Sequence, residues 1–505
     1  MAKIIGIDLG TTYSAVAKIT NDGRSEILRD EDGENLTPSV IVRESDETFY
    51  VGHDAKKESI IKPNASAKEF KRDMGTDRVW TIGGDTFSPV DLSALVLRKL
   101  KSIAEEQLGS VDEAVVTVPA NFANQARQDT IAAGKKIGLK IRHIVNEPTA
   151  AAVCYAMLDD IDGTVAVYDL GGGTFDCSIV RIDGKNTEVL CSQGNQRLGG
   201  ADFDHKLLEL VNSEFQKQTG STYELKENDF KNRTIEEYKK SLSKRDSVKI
   251  LVSPPDQTPF NIEISRTAFE NAISTFLTKA EMLVEEALSE ASLTASDIDH
   301  VLLVGGSTRI PAVRENVKQI FSKEPKTLRN VDEVVALGAA YYGALNMDAS
   351  KLNAAQKMAF KNAKVSEKSS HYFGTQILSY DEMRDRYEQK VSILIPKNAD
   401  LPCSVCETYY TAAEGQQYVD CVVSQSVAEE TDPQWVTKVW EGELGPFPPN
   451  RPAGKEIKIT FSYDLNGVLK CEFVDVESNI RAEKVFNLRS DQEEQAIDVE
   501  KFLVE

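Results

Sequence analysis

Two segments of this chain carry the same short pattern. Residues 5–19 read Ile-Gly-Ile-Asp-Leu-Gly-Thr-Thr-Tyr-Ser-Ala-Val-Ala-Lys-Ile, and residues 166–182 read Ala-Val-Tyr-Asp-Leu-Gly-Gly-Gly-Thr-Phe-Asp-Cys-Ser-Ile-Val-Arg-Ile. Asp8-Leu9-Gly10 and Asp169-Leu170-Gly171 superpose at an offset of 161 residues. In each copy an apolar run delivers an aspartate, a turn of glycines and threonines follows, and a second apolar run leaves the turn. Gly10, Thr11, Thr12 and Tyr13 form the first turn; Gly171, Gly172, Gly173 and Thr174 form the second. Such turns expose several backbone N–H groups and hydroxyls to phosphate oxygens. Two of them, related by duplication, would clasp a phosphate chain from both sides. The paired Asp8 and Asp169 suit a hydrated Mg2+, which takes one or two carboxylates and completes its shell with water and substrate oxygens. A dinucleotide or Walker loop would leave its turn into a helix, and neither fingerprint is present.

Two further glycine turns lie between and after these. Leu198-Gly199-Gly200-Ala201-Asp202-Phe203-Asp204 is one, and Val304-Gly305-Gly306-Ser307-Thr308-Arg309-Ile310-Pro311 is the other. The second suits close approach of the backbone to a base or ribose. Glu236, Lys239, Lys240 and Ser243 are spaced i, i+3, i+4, i+7, so a helix places all four on one face.

The elements that must position these residues follow from periodicity. Val115–Val118 is a β-branched run closed by Pro119, and residues 125–137 then predict a helix ending at Gly138. Residues 267–289 show helical apolar spacing at Phe269, Ala272, Ile273, Phe276, Leu277 and Ala280. Val301–Val304 predicts a buried strand before Gly305-Gly306 and a helix from Pro311. Alternation of this kind over residues 1–345 predicts an α/β domain. Residues 346–370 are polar and lysine-rich and predict a linker. From 371 to 489 the pattern changes to strand runs, with Asn466-Gly467 as a hairpin signal, so a mainly-β domain is expected. Residues 490–505 predict one short acidic helix.

Composition narrows the function classes. The chain has 505 residues and a net charge of −21, with 25 acidic and 13 basic side chains in residues 371–505. A nucleic-acid binder would want a basic face, so no nucleic-acid partner is expected. The longest apolar runs fall far short of the ~20 residues that span a bilayer, and Asp8 interrupts the N-terminus before any signal-peptide stretch. No membrane partner and a cytoplasmic location are therefore expected. Seven cysteines at irregular spacing predict reduced thiols, and Cys403-Ser-Val-Cys406 on a strand points its two thiols to opposite faces.

With these residues in hand, the chain resembles the DnaK-type heat-shock chaperones of the seventy-kilodalton class. The matching segments are IGIDLGTTYS (5–14), FKRDMG (70–75), VTVPANF (116–122), NEPTAAA (146–152), YDLGGGTFD (168–176), LGGADFD (198–204) and GGSTRIP (305–311). The resemblance implies a two-lobed actin-like (actin/hexokinase/heat-shock ATPase) nucleotide-binding domain over 1–345. A β-sandwich substrate-binding-like domain over 371–489 would follow. It implies ATP/ADP and Mg2+ as cofactors, with a monovalent cation such as K+. Thr11, Thr12 and Tyr13 would meet the β- and γ-phosphates. Asp8 and Asp169 would organise the metal, and Lys71, Glu147 and Thr174 would orient water and γ-phosphate. Asp169 and Glu147 are both candidate bases.

Glu236, Lys239, Lys240 and Ser243, with Ser307, Arg309 and Asp332, would clamp adenosine beside the Gly199-Gly200 and Gly305-Gly306 turns. The implied activity is Mg-dependent ATP hydrolysis coupled to binding of unfolded or extended polypeptide. A J-domain co-chaperone and a nucleotide exchange factor are the implied partners. The alternative is a nucleotide-dependent regulatory module with one dedicated partner.

The chain departs from the family pattern in four places. Residues 346–370 lack a run of leucines, and His143 follows Arg142 where a second arginine is usual. Residues 379–390 are charged where the family has apolar loops over a peptide. The sixteen residues after the last expected strand are too few for a helical lid, which predicts fast exchange of bound peptide.

Overall fold

In the computed structural model the described residues are 4–505 without 160, 231–232, 256–257, 328–329, 382, 466 and 486–497. The chain forms two compact units. The first comprises the described residues of Met1–Phe122, Asp129–Val365 and Glu494–Glu505, and the second comprises Ala123–Gln128 and those of Ser366–Glu493. Among the described residues no helix is long and apolar enough to cross a membrane.

The duplicated pattern becomes two hairpins in two sheets of the first unit. Strand Ile4–Asp8 pairs antiparallel with Tyr13–Ile19, and Asp8 stands opposite Ala15. Strand Gly163–Leu170 pairs antiparallel with Phe175–Asp183, and Asp169 stands opposite Asp176. Each first strand also has a parallel neighbour, Glu113–Val118 for the first and His300–Val304 for the second. The strand burial explains the sequence: Val165 to Leu170 is buried without interruption, as a strand covered on both faces must be.

Two helices pack against the strands of these sheets and against each other. Glu147–Leu158 and Val334–Leu345 are almost wholly buried and meet where Gly338 lies against Ala150. A Cβ on Gly338 would sit 1.7 Å from the Ala150 carbonyl oxygen, so only glycine permits this approach. Pro148 occupies the first turn of the earlier helix, where its missing N–H has no helical partner to lose.

The expected linker is different in the structure. Residues 346–365 belong to the first unit, because their few apolar and amide groups find partners there. Asn353 Nδ2 and Gln356 Nε2 donate to the backbone oxygens of Asn21 and Thr20, each at 3.0 Å. Phe360 is buried edge-on to Tyr341. The polar surface that suggested a solvated connector is the outer face of helix Ala354–Ala359.

The second unit holds two four-stranded antiparallel sheets. One runs Arg386–Ile395, Tyr372–Asp381, Val419–Ser426, Thr437–Leu444, and the other Cys403–Tyr410, Glu456–Tyr463, Leu469–Asp475, Arg481–Val485. Phe373, Cys421 and Val423 of the first share one apolar core with Phe461, Cys471 and Phe473 of the second. The hairpin expected at Asn466-Gly467 closes between Tyr463 and Leu469, although Asn466 itself lies outside the described residues. Residues 379–381 and 386–390 are strand rather than loop: Tyr380 pairs with Tyr387 and Asp381 with Arg386, extending a hairpin in which the two tyrosine rings stack edge-on at 5.1 Å. All seven cysteines are free thiols.

The expected C-terminal helix is also corrected. Residues 490–497 of it lie outside the described residues. Val499–Lys501 makes one 3-10 turn, and Leu503–Val504 pairs parallel with Thr48–Val51 as an edge strand of the first unit. Alternating apolar residues at Phe502 and Val504 favour strand over helix once a sheet edge is available.

Candidate functional site

The two aspartate turns face one cavity of about 860 Å3 in the first unit. Asp8, Gly10, Thr11, Thr12 and Tyr13 line one side; Asp169, Gly171, Gly172 and Thr174 line the other. The turns touch. A Cβ on Gly172 would fall 1.9 Å from Thr12 Oγ1, so the second turn must be glycine for the first to approach. Gly173 and Gly199 do not line the cavity but pack behind it, the Gly199 backbone lying against Gly173. Hydrogen bonds lock this arrangement: Gly200 N donates to Gly171 O at 3.0 Å, Ala201 N to Gly172 O at 2.7 Å, and Ser307 Oγ to Gly171 O at 2.8 Å.

At the floor, Lys71 Nζ donates to Glu147 Oε1 at 2.5 Å, with both residues buried. Lys71 comes from the 3-10 turn Phe70–Asp73, and Glu147 opens its helix. One ammonium faces a crowd of carboxylates. Burial drives the Asp8 carboxyl up to about 7, with Glu147 adding to it and Lys71 and the Thr117 hydroxyl opposing. Burial followed by Glu147 likewise raises Asp169 and Asp176 well above the usual carboxylate range. Asp176 does not itself line the cavity, and the backbone of Asn121 lies beside its carboxylate. A site this rich in buried carboxylate suits a cation. Among the described residues no three acidic, His or Cys side chains close around one point. Asp8 and Asp169, one from each turn, are cavity-lining carboxylates that could hold a cation.

The third wall is the helix Ile235–Leu242. Glu236, Lys239, Lys240 and Ser243 all reach the cavity, as their spacing requires. Lys239 is nevertheless occupied within the protein, donating to Gly200 O at 2.7 Å and Asp204 Oδ2 at 2.9 Å. It braces the glycine turn. Opposite, Gly305, Gly306, Ser307, Arg309 and Asp332 complete the lining, and Arg309 bridges Asp332 at 2.5 Å and Asn330 at 2.8 Å. This leaves the Arg309 guanidinium plane held in place at the cavity wall.

Four functional neighbours escape the sequence reading. Asp176 ends the YDLGGGTFD motif and Asp204 ends LGGADFD, so both were legible there. Thr117 sits inside VTVPANF and donates to Asp8 at 3.0 Å. Lys56 carries no signal, since it lies in a polar helix, His53–Ile61, among other lysines. It donates to Tyr13 Oη at 2.6 Å and to Glu236 Oε2 at 2.5 Å, while Lys240 reaches Tyr13 Oη at 3.1 Å and Glu236 Oε1 at 2.8 Å. Both ammonium groups lie over the Tyr13 ring, at 4.9 and 4.7 Å from its centre.

This cluster makes a pH prediction. Burial alone would raise Glu236, but Lys56 and Lys240 outweigh it and bring the carboxyl from 4.5 down to about 2. A carboxyl depressed in the folded state stabilises above its unfolded value and loses that contribution as pH falls toward the folded one. Glu236→Gln is expected to cost roughly 2–3 kcal/mol at pH 7, and in urea titrations the gap to the native chain should narrow from about pH 4.5 downward. A gap that holds constant to pH 3 contradicts the assignment.

The site thus joins two aspartate hairpins, a buried Lys–Glu pair and a helix face carrying Glu236, Lys239 and Lys240 around one cavity. A protein-family model described as Hsp70 protein matches residues 4–82 and 78–503. That is nearly the whole chain, and the chain belongs to the Hsp70 family.

Proposed function

We propose that this chain binds ATP with Mg2+ in the cavity between the two aspartate hairpins, hydrolyses it, and couples the nucleotide state to binding of extended polypeptide by the β-rich unit. The carrying observation is the convergence of Asp8 and Asp169, from duplicated hairpins, on the cavity whose floor holds Lys71 and Glu147. Family membership supports ATP binding and ATPase chemistry of the chaperone class. An actin-like fold is proposed on the same ground, with the paired hairpins as its expected internal repeat.

The chemistry proposed is in-line attack of water on the γ-phosphorus. Positioning and charge neutralisation supply most of the acceleration in such reactions. Backbone N–H groups of the Gly10–Tyr13 and Gly171–Thr174 turns bind phosphate oxygens. Lys71 stabilises charge developing on the transferred group. Glu147 is committed to holding Lys71 at 2.5 Å, which leaves Asp169 to accept the proton of water. Mg2+ at Asp8 and Asp169 would supply neutralisation of the phosphate oxygens. Lys56, Glu236 and Lys240 close over Tyr13 beside the adenosine, and Arg309 and Asp332 face them.

Of the four residues that align with the family's peptide-pocket positions, Cys421 lies in the core of the β-rich unit, Tyr409 and Val419 are partly buried against that core, and Ala412 is exposed. The surface proposed to meet polypeptide is therefore the exposed apolar set on the Tyr372–Ile395 hairpin, which includes Leu378, Tyr380, Met383 and Tyr387. Single-turnover ATP hydrolysis with a panel of extended peptides tests the coupling. Several-fold stimulation by many peptides is expected. ATP binding with no stimulation by any of them would replace general client binding with a switch serving one dedicated partner.

A further inference from the structure

The last described residues form a strap on the first unit. Leu503 and Val504 lie parallel to Thr48 and Phe49. Leu503 N donates to Glu47 O at 2.7 Å, Glu505 N to Phe49 O at 2.9 Å, and Val51 N to Glu505 O at 2.8 Å. The Phe502 ring fits edge-on against Phe49 at 4.9 Å and lies 6.1 Å from Phe87. Phe49 and Phe87 are fully buried, and Val499 and Phe502 are nearly so. From helix Pro89–Leu108, Arg98 donates to three backbone oxygens of the segment: Phe502 at 2.6 Å, Val499 at 3.0 Å and Glu500 at 3.4 Å.

This is how a groove takes a peptide. A sheet edge supplies main-chain bonds to any extended segment, and sockets at alternate positions select its side chains. Arg98 reads carbonyls and is indifferent to sequence, so selectivity rests on Val499 and Phe502. The remaining side chains contribute little, since Glu500, Lys501 and Leu503 point to solvent. A segment held by two side chains and a short ladder opens locally while the body of the fold stays intact.

The chain leaves the first unit after Val365, and the described residues from Asp498 onward lie on it again. We infer that Asp498–Glu505 is a detachable strap seated in cis on the Thr48–Val51 edge, docking and releasing as one segment. The inference concerns the groove and its occupant, and it stands apart from whether ATP is hydrolysed.

Amide hydrogen exchange on the full chain tests detachment. The amides of Val51, Leu503 and Glu505 should exchange at least tenfold faster than those of the Ile4–Asp8 strand. In Phe502→Asp and, separately, in Arg98→Ala they should exchange at least tenfold faster again, while nucleotide binding is retained. A labelled peptide of residues 498–505 should bind the Phe502→Asp chain with a Kd of tens of micromolar. It should bind the native chain, whose groove is filled, at least tenfold more weakly. Adding Arg98→Ala should weaken it tenfold.

The inference is overturned if the three amides open only with global unfolding, or if a folded Phe502→Asp chain takes up no peptide. A concentration-dependent dimer of the native chain that dissociates in Phe502→Asp would place a second copy's segment in the groove and overturn the cis assignment. Should Phe502→Asp fail to fold, the Arg98→Ala exchange pattern decides alone: unchanged protection at Val51 defeats the inference.

Discussion

Lys71→Ala is expected to leave ATP bound and to slow its hydrolysis about 100- to 1,000-fold, the range for removing one preorganised charge donor from a developing oxyanion. The reasons are geometric. Lys71 is held at 2.5 Å by Glu147, both are buried, and the charge of Lys71 opposes the upward shift of Asp8, Asp169 and Asp176. The phosphate-gripping turns and the Tyr13–Lys56–Lys240 cluster are untouched by the change, so affinity should move little. Removing one member of a buried pair leaves the other charge uncompensated. For that reason the Lys71→Ala, Glu147→Gln double variant is the control. It should recover most of the thermal stability lost by the single variant and recover none of the rate. Single-turnover hydrolysis and equilibrium nucleotide titration read the two quantities separately. Hydrolysis unchanged in Lys71→Ala would remove this cavity from the reaction.

Gly338→Ala should be the most destabilising single methyl addition in the first unit. The added Cβ would lie 1.7 Å from Ala150 O and 2.4 Å from Ala150 C. These are backbone atoms of a helix buried on nearly all sides, so neither partner can yield cheaply. A cost of roughly 4 kcal/mol or more is expected, at the diagnostic end of the range for point changes. Gly184→Ala is the contrast: its φ is +57° but nothing lies within 4 Å of the added carbon. It should cost only about 1 kcal/mol, the penalty of a left-handed backbone for a residue with a side chain. Denaturant midpoints of the two variants separate the cases. Because the helix receiving the clash begins at Glu147, Gly338→Ala should also weaken nucleotide binding, whereas Gly184→Ala should not. Equal midpoints would mean that the two helices do not pack as described.

Much of the site was legible in the residues because its chemistry is local. Asp8 with Gly10–Tyr13, and Asp169 with Gly171–Thr174, each form within one hairpin, and the geometry of a tight turn between strands is set by neighbours in sequence. The quartet at 236, 239, 240 and 243 was legible for the same reason, helical spacing being a local rule. Where the reading went astray, the deciding interactions were distant. Residues 346–365 look like a solvated connector until Thr20, Asn21 and Tyr341 supply their partners. The charged stretch 379–390 looks like a loop until Tyr380 finds Tyr387 across a hairpin.

The sequence by itself determined that two duplicated turns would carry their glycines, threonines and aspartates between paired strands. Only the tertiary structure decided that Lys56 would join Glu236 across 180 residues. It also decided that four carboxylates would share one lysine in a buried space, shifting three of them upward. And it turned the chain's last residues into a strand: Phe502 and Val504 carry no instruction beyond alternation, and the edge of Thr48–Val51, with Phe49, Phe87 and Arg98, converts that alternation into a docked strap. Charge crowding and edge pairing depend on desolvation and on groups brought together from afar, and neither quantity is written in any local stretch of residues.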